Sequence, residues 1–214
     1  MKPIIFVRIA DMYYYKGITE NDTPSNGGAY VKETGDAHEC YNFDGAEVED
    51  GETICLGYAQ LLGRKSCKDP ELHIEKIVGC EGFKKAAAVD NVTVVWCSKS
   101  NESRYMRVVG FYKNATVFRN TQIQEFDSGY EQSFNFIAKK EDCVLLPYQE
   151  RHSNGNWYVP LSHQDGSSFG FGRSSLWYAG SNTDDENEIK YVERMLKNIE
   201  IYSGENWIDK GGVE

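Results

Sequence analysis

The chain has 214 residues, a formal net charge of −10 at pH 7 and 13% aromatic residues. This length predicts one domain with a sizeable core, and no apolar run approaches the roughly 20 residues of a membrane helix. Six widely spaced cysteines without a CxxC pair indicate reduced thiols, so we predict a cytoplasmic protein with no metal or other cofactor.

Apolar runs rich in Val, Ile, Phe and Tyr dominate the first two thirds of the chain and predict short β-strands. In chain order these are PIIFVRIA (3–10), TICLGYAQLL (53–62), LHIEKIV (72–78), VTVVWCS (92–98), YMRVVGFY (105–112), ATVFR (115–119), FNFIAKK (134–140) and CVLLPY (143–148). Between the fifth and sixth runs, Lys113-Asn114 predicts a two-residue turn.

Two segments predict helices. GCEGFKKAAAVD (79–90) contains good helix formers after its glycines. From Asp184 to about Tyr202, apolar side chains recur every three or four residues, which indicates an amphipathic helix. Asn182-Thr183-Asp184 are its capping candidates and Gly204 follows its end.

Many short strands with few helices predict an α+β fold: a strongly bent β-sheet or small β-barrel with one or two packed helices and a C-terminal helix. We assign residues 1–180 to the barrel-like recognition domain and residues 181–203 to the C-terminal helix that packs on it. Residues 204–214 are predicted to be a linker or tail.

Signatures of common enzymes are missing from the sequence. No GxGxxG, GxxxxGK[ST], HExxH or GxSxG motif occurs, and the four histidines are scattered. Asp69, Glu71, Glu75 and Lys76 are residue types found in metal-dependent nucleases, but adjacent Glu75 and Lys76 would point to opposite faces of a strand. We therefore predict no catalytic residues, with any cleavage performed by a separate domain.

Charge is distributed unevenly along the chain. Residues 64–119 contain eleven Lys/Arg and six Asp/Glu, whereas the chain as a whole is acidic. Ordinary solvated surfaces explain this asymmetry as well as one basic face on an acidic body does. If the basic face exists, its candidates for phosphate contact are Lys99, Arg104, Arg107, Lys113 and Arg119.

Aromatic residues are frequent beside predicted loops, above all in the tyrosine triplet at 13–15. For any single ring, packing in the core is the ordinary explanation. As a group, such rings suit the binding of a flipped or single-stranded base, which stacks on aromatic planes while polar side chains read its edge.

Six motifs in order resemble the N-terminal specificity modules that accompany nuclease domains in bacterial modification-dependent restriction systems. The motifs are MYYYKG (12–17), NGGAYV (26–31), HECYNF (38–43), VTVVW (92–96), VVGFYKNATVFR (108–119) and SSLWYAG (174–180). These modules are related in fold to the PUA, SRA and EVE group of compact barrels. The resemblance implies that a modified base of double-stranded DNA is flipped into an aromatic pocket inside a basic surface.

By this resemblance, ten residues become candidates for the base pocket: Tyr14, Tyr15, Tyr30, Tyr41, Asn42, Phe43, Trp96, Ser174, Ser175 and Trp177. Of Trp177 and its neighbour Tyr178, which should point to opposite faces, we predict that Trp177 contacts the base. The implied partners are modified DNA and a fused or associated nuclease subunit. Two alternatives stay open, namely a protein–protein interaction module and a nuclease with an unrecognised site.

Overall fold

The computed structural model describes residues 1–25, 38–48, 51–61, 70–101, 105–153, 155–164, 166–181 and 184–211. In these ranges the fold is α+β, with one large mixed sheet and two α-helices. Neither helix is long and apolar enough to cross a membrane.

Nine strands of the described residues form the sheet in the order β2-β3-β6-β5-β4-β1-β9, and β7 and β8 also pair with β5. The pair β1–β4 is parallel and the other pairs are antiparallel. The strands are β1 (Ile4–Arg8), β2 (Gly45–Glu47), β3 (Thr53–Gly57), β4 (Ala88–Ser98), β5 (Met106–Glu125), β6 (Glu131–Lys139), β7 (Cys143–Leu145), β8 (Tyr158–Val159) and β9 (Leu176–Trp177). The helices are α1 (Tyr148–Ser153) and α2 (Glu186–Ile201).

The long strand β5 organises the sheet. One of its edges pairs with β4, while β8, β7 and β6 follow one another along the other edge. The path ends at β2 and β9, and no pairing within the described residues joins these two strands. The sheet is therefore open, and the predicted closed barrel is not confirmed.

The predicted turn at Lys113-Asn114 is wrong, because β5 continues through it. Asn114 has φ 51°, and the register of β4 against β5 shifts there: Val92 pairs with Ala115, but Val94 pairs with Tyr112. Between these pairs one residue of β4 faces two of β5, which is a β-bulge. Asparagine tolerates the left-handed conformation that both a tight turn and a bulge can require, so this signal has two structural outcomes.

Both faces of the central strands are covered. In β1, Ile5 and Val7 belong to one buried apolar layer, while Ile4 and Phe6 belong to the layer on the opposite face, which includes residues of α2. Because both faces are buried, these strands read as continuous apolar runs instead of alternating ones.

The predicted amphipathic helix is confirmed, as α2. Its N-cap is Asp185, whose carboxylate accepts hydrogen bonds from the backbone N–H groups of Asn187 and Glu188, one residue beyond the predicted capping segment. Its apolar face packs on the sheet through Tyr191, Val192, Met195 and Ile199.

Two predicted elements before β4 are wrong, and Arg119 supplies a physical reason. Residues 72–78 contain a single 3-10 turn instead of a strand, and residues 79–87 form turns instead of a helix. The Arg119 guanidinium donates to the carbonyl oxygens of Phe83 and Ala86 and pairs with Glu75 at 2.9 Å. These tertiary contacts hold both segments in compact turns, overriding local propensity.

The described part of the predicted linker or tail, residues 204–211, packs against the domain. Asn206 accepts a hydrogen bond from the Leu145 N–H and donates one to the Cys143 carbonyl, so it extends the bonding of β7. Ile208, in the 3-10 turn Trp207–Asp209, is 4% exposed within the apolar core. A buried apolar residue and a paired amide thus connect this segment to the sheet.

Candidate nucleic-acid interface

The tyrosine triplet forms a fixed turn just after β1. The carboxylate of Asp22, itself buried, accepts hydrogen bonds from the backbone N–H groups of Tyr13 and Tyr14 at 2.7 and 2.8 Å. The Tyr15 hydroxyl donates to the Ala10 carbonyl at 2.8 Å and accepts from the Met12 N–H at 3.2 Å. The turn therefore sends Tyr15 into the core and leaves Tyr13 at the surface, 41% exposed.

Tyr15 is also strained. Its φ of 54° lies in the left-handed region, which costs a residue with a side chain about 1–2 kcal/mol. Such conformations persist only where the surroundings enforce them, and they cluster at functional sites. The strain at Tyr15 makes this turn a candidate site.

The surroundings that enforce the turn include a fully buried arginine. Arg151, in α1, is 0% exposed, and its guanidinium donates to the carbonyls of Met12 at 2.7 Å and Tyr13 at 2.8 Å. Its Nε donates to the Leu146 carbonyl at 2.9 Å. One side chain thus joins the turn after β1 to the segment that leads into α1.

The charge of Arg151 is balanced by acidic groups nearby. Burial lowers the pKa of Arg151, and the neighbouring Tyr15, Asp11 and Asp22 act in the opposite direction. Asp11 is buried as well, and the hydroxyl of Ser98 at the end of β4 donates to its carboxylate. Because buried charges need partners, this network supports a single arrangement of the turn.

Five rings form a continuous row along the surface above this network, which we call the aromatic row: Trp207, Tyr14, Tyr13, Tyr148 and His152. Successive ring centroids are 5.6, 6.2, 4.4 and 4.8 Å apart. Tyr13 is the exposed member, and the other four are half-buried. The Tyr148 hydroxyl lies 3.4 Å from the Ser100 hydroxyl, so polar groups border the row.

Four of the predicted pocket residues lie in the core instead of this row. Tyr15, Asn42, Phe43 and Trp96 are 0% exposed. The Asn42 side chain is occupied by the backbone N–H and carbonyl of Tyr58. In the described arrangement these four side chains have no surface on which a base can stack.

Trp177 and Tyr178 point to opposite faces of the sheet, as predicted, but Trp177 packs in the core. Its ring is 9% exposed, lies 4.6 Å from that of Phe6 and is close to those of Phe169 and Tyr191. Tyr178 is half-buried on the other face, where its hydroxyl accepts from the His73 N–H. Stacking of Trp177 on a base would require it to leave this packing.

The remaining pocket candidates are dispersed. Tyr14 belongs to the aromatic row, whereas Tyr41 packs 5.5 Å from Tyr130. Ser174 is exposed and Ser175 is half-buried, with its hydroxyl bonded to the Gln60 carbonyl. Tyr30 lies outside the described residues. The structure thus does not bring the nine described candidates into one pocket.

Two of the phosphate candidates lie at the end of β4 that leads to Ser100. Lys99 is exposed and directly follows β4, and Arg107 pairs in register with Ser98. The Arg107 guanidinium lies over the rings of Tyr105 and Tyr158, at 5.3 and 5.6 Å.

The other phosphate candidates lie elsewhere. Arg119 lies near the start of β4, at the end opposite Lys99. The two ends of β4 are ten residue steps, or about 33 Å, apart. The Arg119 guanidinium is hydrogen-bonded to the turns before β4. Lys113 lies over the Phe111 ring in the middle of β5. Arg104 falls outside the described residues. The four described cations therefore do not form a single surface.

Sequence reasoning missed Arg151, Tyr148, His152 and Trp207. Tyr148 and His152 are four residues apart on α1, a spacing that places two rings on one face of a helix. The charged segment YQERHS nevertheless resembles a solvated surface, and no local signal indicates a buried arginine. Trp207 lies in the segment predicted to be a linker or tail.

Glu39 is a further ionisable group beneath the turn. One of its carboxylate oxygens accepts a hydrogen bond from the Ala10 N–H at 3.1 Å. Burial raises the pKa of Glu39 from 4.5 to about 6, and this hydrogen bond opposes the shift. The fold therefore disfavours the charged form of Glu39.

We expect Glu39→Gln to stabilise the fold at pH 7 by up to about 2 kcal/mol relative to wild type, and not at pH 4. Well below pH 4.5 the Glu39 carboxyl is protonated in both the folded and the unfolded protein. As the pH rises from 4.5 towards 6, the carboxyl ionises in the unfolded protein before it does in the folded one, so the free energy of unfolding of wild type falls. Urea unfolding of both proteins between pH 4 and pH 7.5 measures the difference. A difference that does not change with pH would contradict the assignment.

Among the described residues, no group of three or more His, Cys, Asp or Glu side chains is arranged to hold a metal ion. Comparison of the chain with protein-family models, with curated proteins and with solved structures found no match.

Proposed function

We propose that this chain is a nucleic-acid-binding specificity module that recognises a modified base in DNA, as part of a restriction or defence system. The observation that supports this best is the aromatic row, a line of five rings. The turn that carries two of them, Tyr13 and Tyr14, is hydrogen-bonded to buried side chains. The proposal also draws on the resemblance of the sequence motifs to modified-DNA reader modules.

The aromatic row has the chemistry that base binding requires. Flipping a base out of the duplex costs a few kcal/mol, and stacking on an aromatic side chain returns about 1–3 kcal/mol per base. The backbone beneath Tyr13 is held by Asp22 and Arg151. A ring on a fixed backbone loses little conformational entropy on binding, which favours affinity.

Polar and cationic groups adjoin the row where a nucleotide needs them. The hydroxyl of the half-buried Tyr148, which lies 3.4 Å from that of the buried Ser100, is suited to a hydrogen bond with a base edge. In our proposal Lys99 and Arg107, at the same end of β4, contact the flanking phosphates. We place the base pocket along Tyr13 and Tyr148, and the buried candidate Tyr15 lies in the turn that carries Tyr13.

Two finer parts of the proposal concern the fold and the cleavage step. We propose that the bent sheet is related to the PUA, SRA and EVE barrels, an assignment that rests on the sequence motifs. We also propose that a fused or associated nuclease subunit performs cleavage.

The direct test is a binding screen with one duplex sequence that carries 5-methylcytosine, 5-hydroxymethylcytosine, N6-methyladenine or no modification. We expect tighter binding to one modified duplex, with an affinity that falls as salt increases because phosphate contacts release counterions. Equal affinity for all four duplexes would contradict recognition of these modifications. Salt-resistant capture of a protein partner would favour an interaction module, and cleavage by the purified chain would favour a nuclease.

Tyr13→Ala is expected to weaken binding to the preferred duplex by about 1–3 kcal/mol, or roughly 5- to 150-fold, with little change in melting temperature. The side chain is exposed, and the hydrogen bonds that hold the turn involve the backbone of residue 13. Phe83→Ala is the matched control, since Phe83 is 46% exposed in the turns before the opposite end of β4. Equal weakening by the two substitutions would remove the aromatic row from the interface.

A further inference from the structure

A separate cleft lies between β8, the segment at 160–169 and the first half of α2. Its volume is about 460 Å³, within the range of small-molecule sites. Six of the residues that line it carry the argument: Tyr158, Ser167, Phe169, Lys190, Tyr191 and Arg194.

The aromatic wall of the cleft is firmly held. The Tyr191 hydroxyl donates to the Tyr158 carbonyl at 2.9 Å, and the rings of Phe169 and Tyr191 are 5.7 Å apart. Behind Phe169 lies the buried Trp177, stacked at 6.1 Å, and the Ser167 hydroxyl donates to the Phe169 carbonyl at 2.7 Å. Phe169 is half-buried, so it retains a surface for a planar ligand.

The other wall is cationic. Lys190 and Arg194 are exposed and lie one helical turn apart on α2, and the Arg194 guanidinium is 5.5 Å from the centre of the Tyr191 ring. Lys190 pairs with Glu186 at 3.2 Å, but both side chains are mostly exposed and such pairs are weak. No carboxylate of the described residues lines the cleft, although the chain as a whole is acidic.

Flat apolar rings beside two cations are complementary to a ligand that is both planar and anionic. We infer that this cleft binds a nucleoside phosphate, with the base against Phe169 and Tyr158 and the phosphate at Lys190 and Arg194. The Arg107 guanidinium over the Tyr158 ring adds positive charge near the same wall. The inference does not depend on recognition of modified bases by the aromatic row.

The test is isothermal titration calorimetry of the full chain at low salt with AMP and dCMP, with adenosine and inorganic phosphate as fragments of the ligand. We expect each monophosphate to bind at least about tenfold more tightly than either fragment, because base stacking and the charge-assisted contacts act together. A short single-stranded oligonucleotide distinguishes a free nucleotide from a nucleotide within a strand. If only the oligonucleotide binds, the ligand is a nucleotide within a strand.

Arg194→Gln is expected to weaken binding about tenfold, whereas Lys197→Gln, an exposed lysine of the same helix outside the cleft lining, leaves it unchanged. The inference is overturned if neither the monophosphates nor the oligonucleotide bind, or if Arg194→Gln and Lys197→Gln have the same effect.

Discussion

Replacement of Arg151 by methionine is expected to lower the free energy of unfolding by about 3–5 kcal/mol. Methionine fills much of the same space, but the carbonyls of Met12, Tyr13 and Leu146 each lose the donor that they have in the core. The acidic groups Asp11 and Asp22 also lose the cation that balances them. Urea unfolding monitored by tryptophan fluorescence measures the change.

Arg173→Met is the matched control, because Arg173 is exposed, and a change within about 0.5 kcal/mol is expected for it. Arg151→Lys should recover only part of the loss, since an ammonium group cannot reproduce the planar geometry that reaches three carbonyls. A small effect of Arg151→Met, similar to that of the control, would show that the turn does not depend on this side chain.

Trp177→Ala is expected to lower the free energy of unfolding by about 3–5 kcal/mol. The ring is 9% exposed among Phe6, Phe169 and Tyr191, so its removal leaves a cavity between β9 and α2. The sequence alone predicts a different result, namely loss of ligand binding with the melting temperature nearly intact. Thermal unfolding followed by circular dichroism distinguishes the two.

Trp177→Phe serves as the conservative variant and should have a smaller effect, because a second aromatic ring fills part of the space. Binding of modified DNA by this variant, measured well below its melting temperature, should match that of wild type. An unchanged melting temperature for Trp177→Ala together with lost binding would restore the stacking role.

Elements whose pattern is set within one segment could be predicted from the sequence. The apolar run VTVVWCS (92–98) lies in β4, and the three- and four-residue spacing from Ile189 to Ile199 lies in α2. The first is a continuous run of strand-forming residues and the second repeats its apolar spacing over several helical turns, so local chemistry determines each element.

Elements whose outcome depends on distant contacts could not be predicted. The Lys113-Asn114 signal is compatible with both a turn and a bulge, and the pairing with β4 decides between them. Residues 79–87 contain good helix formers, but Arg119 holds their carbonyls from 30 or more positions away.

The candidate site shows the same limit. The sequence analysis selects Tyr14 and Tyr15 of the triplet for the pocket, whereas the structure leaves Tyr13 exposed, Tyr14 half-buried and Tyr15 in the core. The burial of Trp96 and Trp177 depends on packing partners such as Phe136 and Tyr191. These partners are distant in the sequence, so no local pattern predicts the contacts. Whether an aromatic residue beside a loop is buried or exposed is therefore settled by sheet topology.

The position of β1 between β4 and β9 has a consequence for synthesis on the ribosome. Its neighbours in the sheet are β4, which pairs from Thr93 onward, and β9, which pairs at Leu176 and Trp177. At typical rates of translation, β9 is made on the order of ten to thirty seconds after β1. During that interval the apolar stretch IIFV has at least one unpaired edge, so chaperone capture of the nascent chain should centre on residues 4–7.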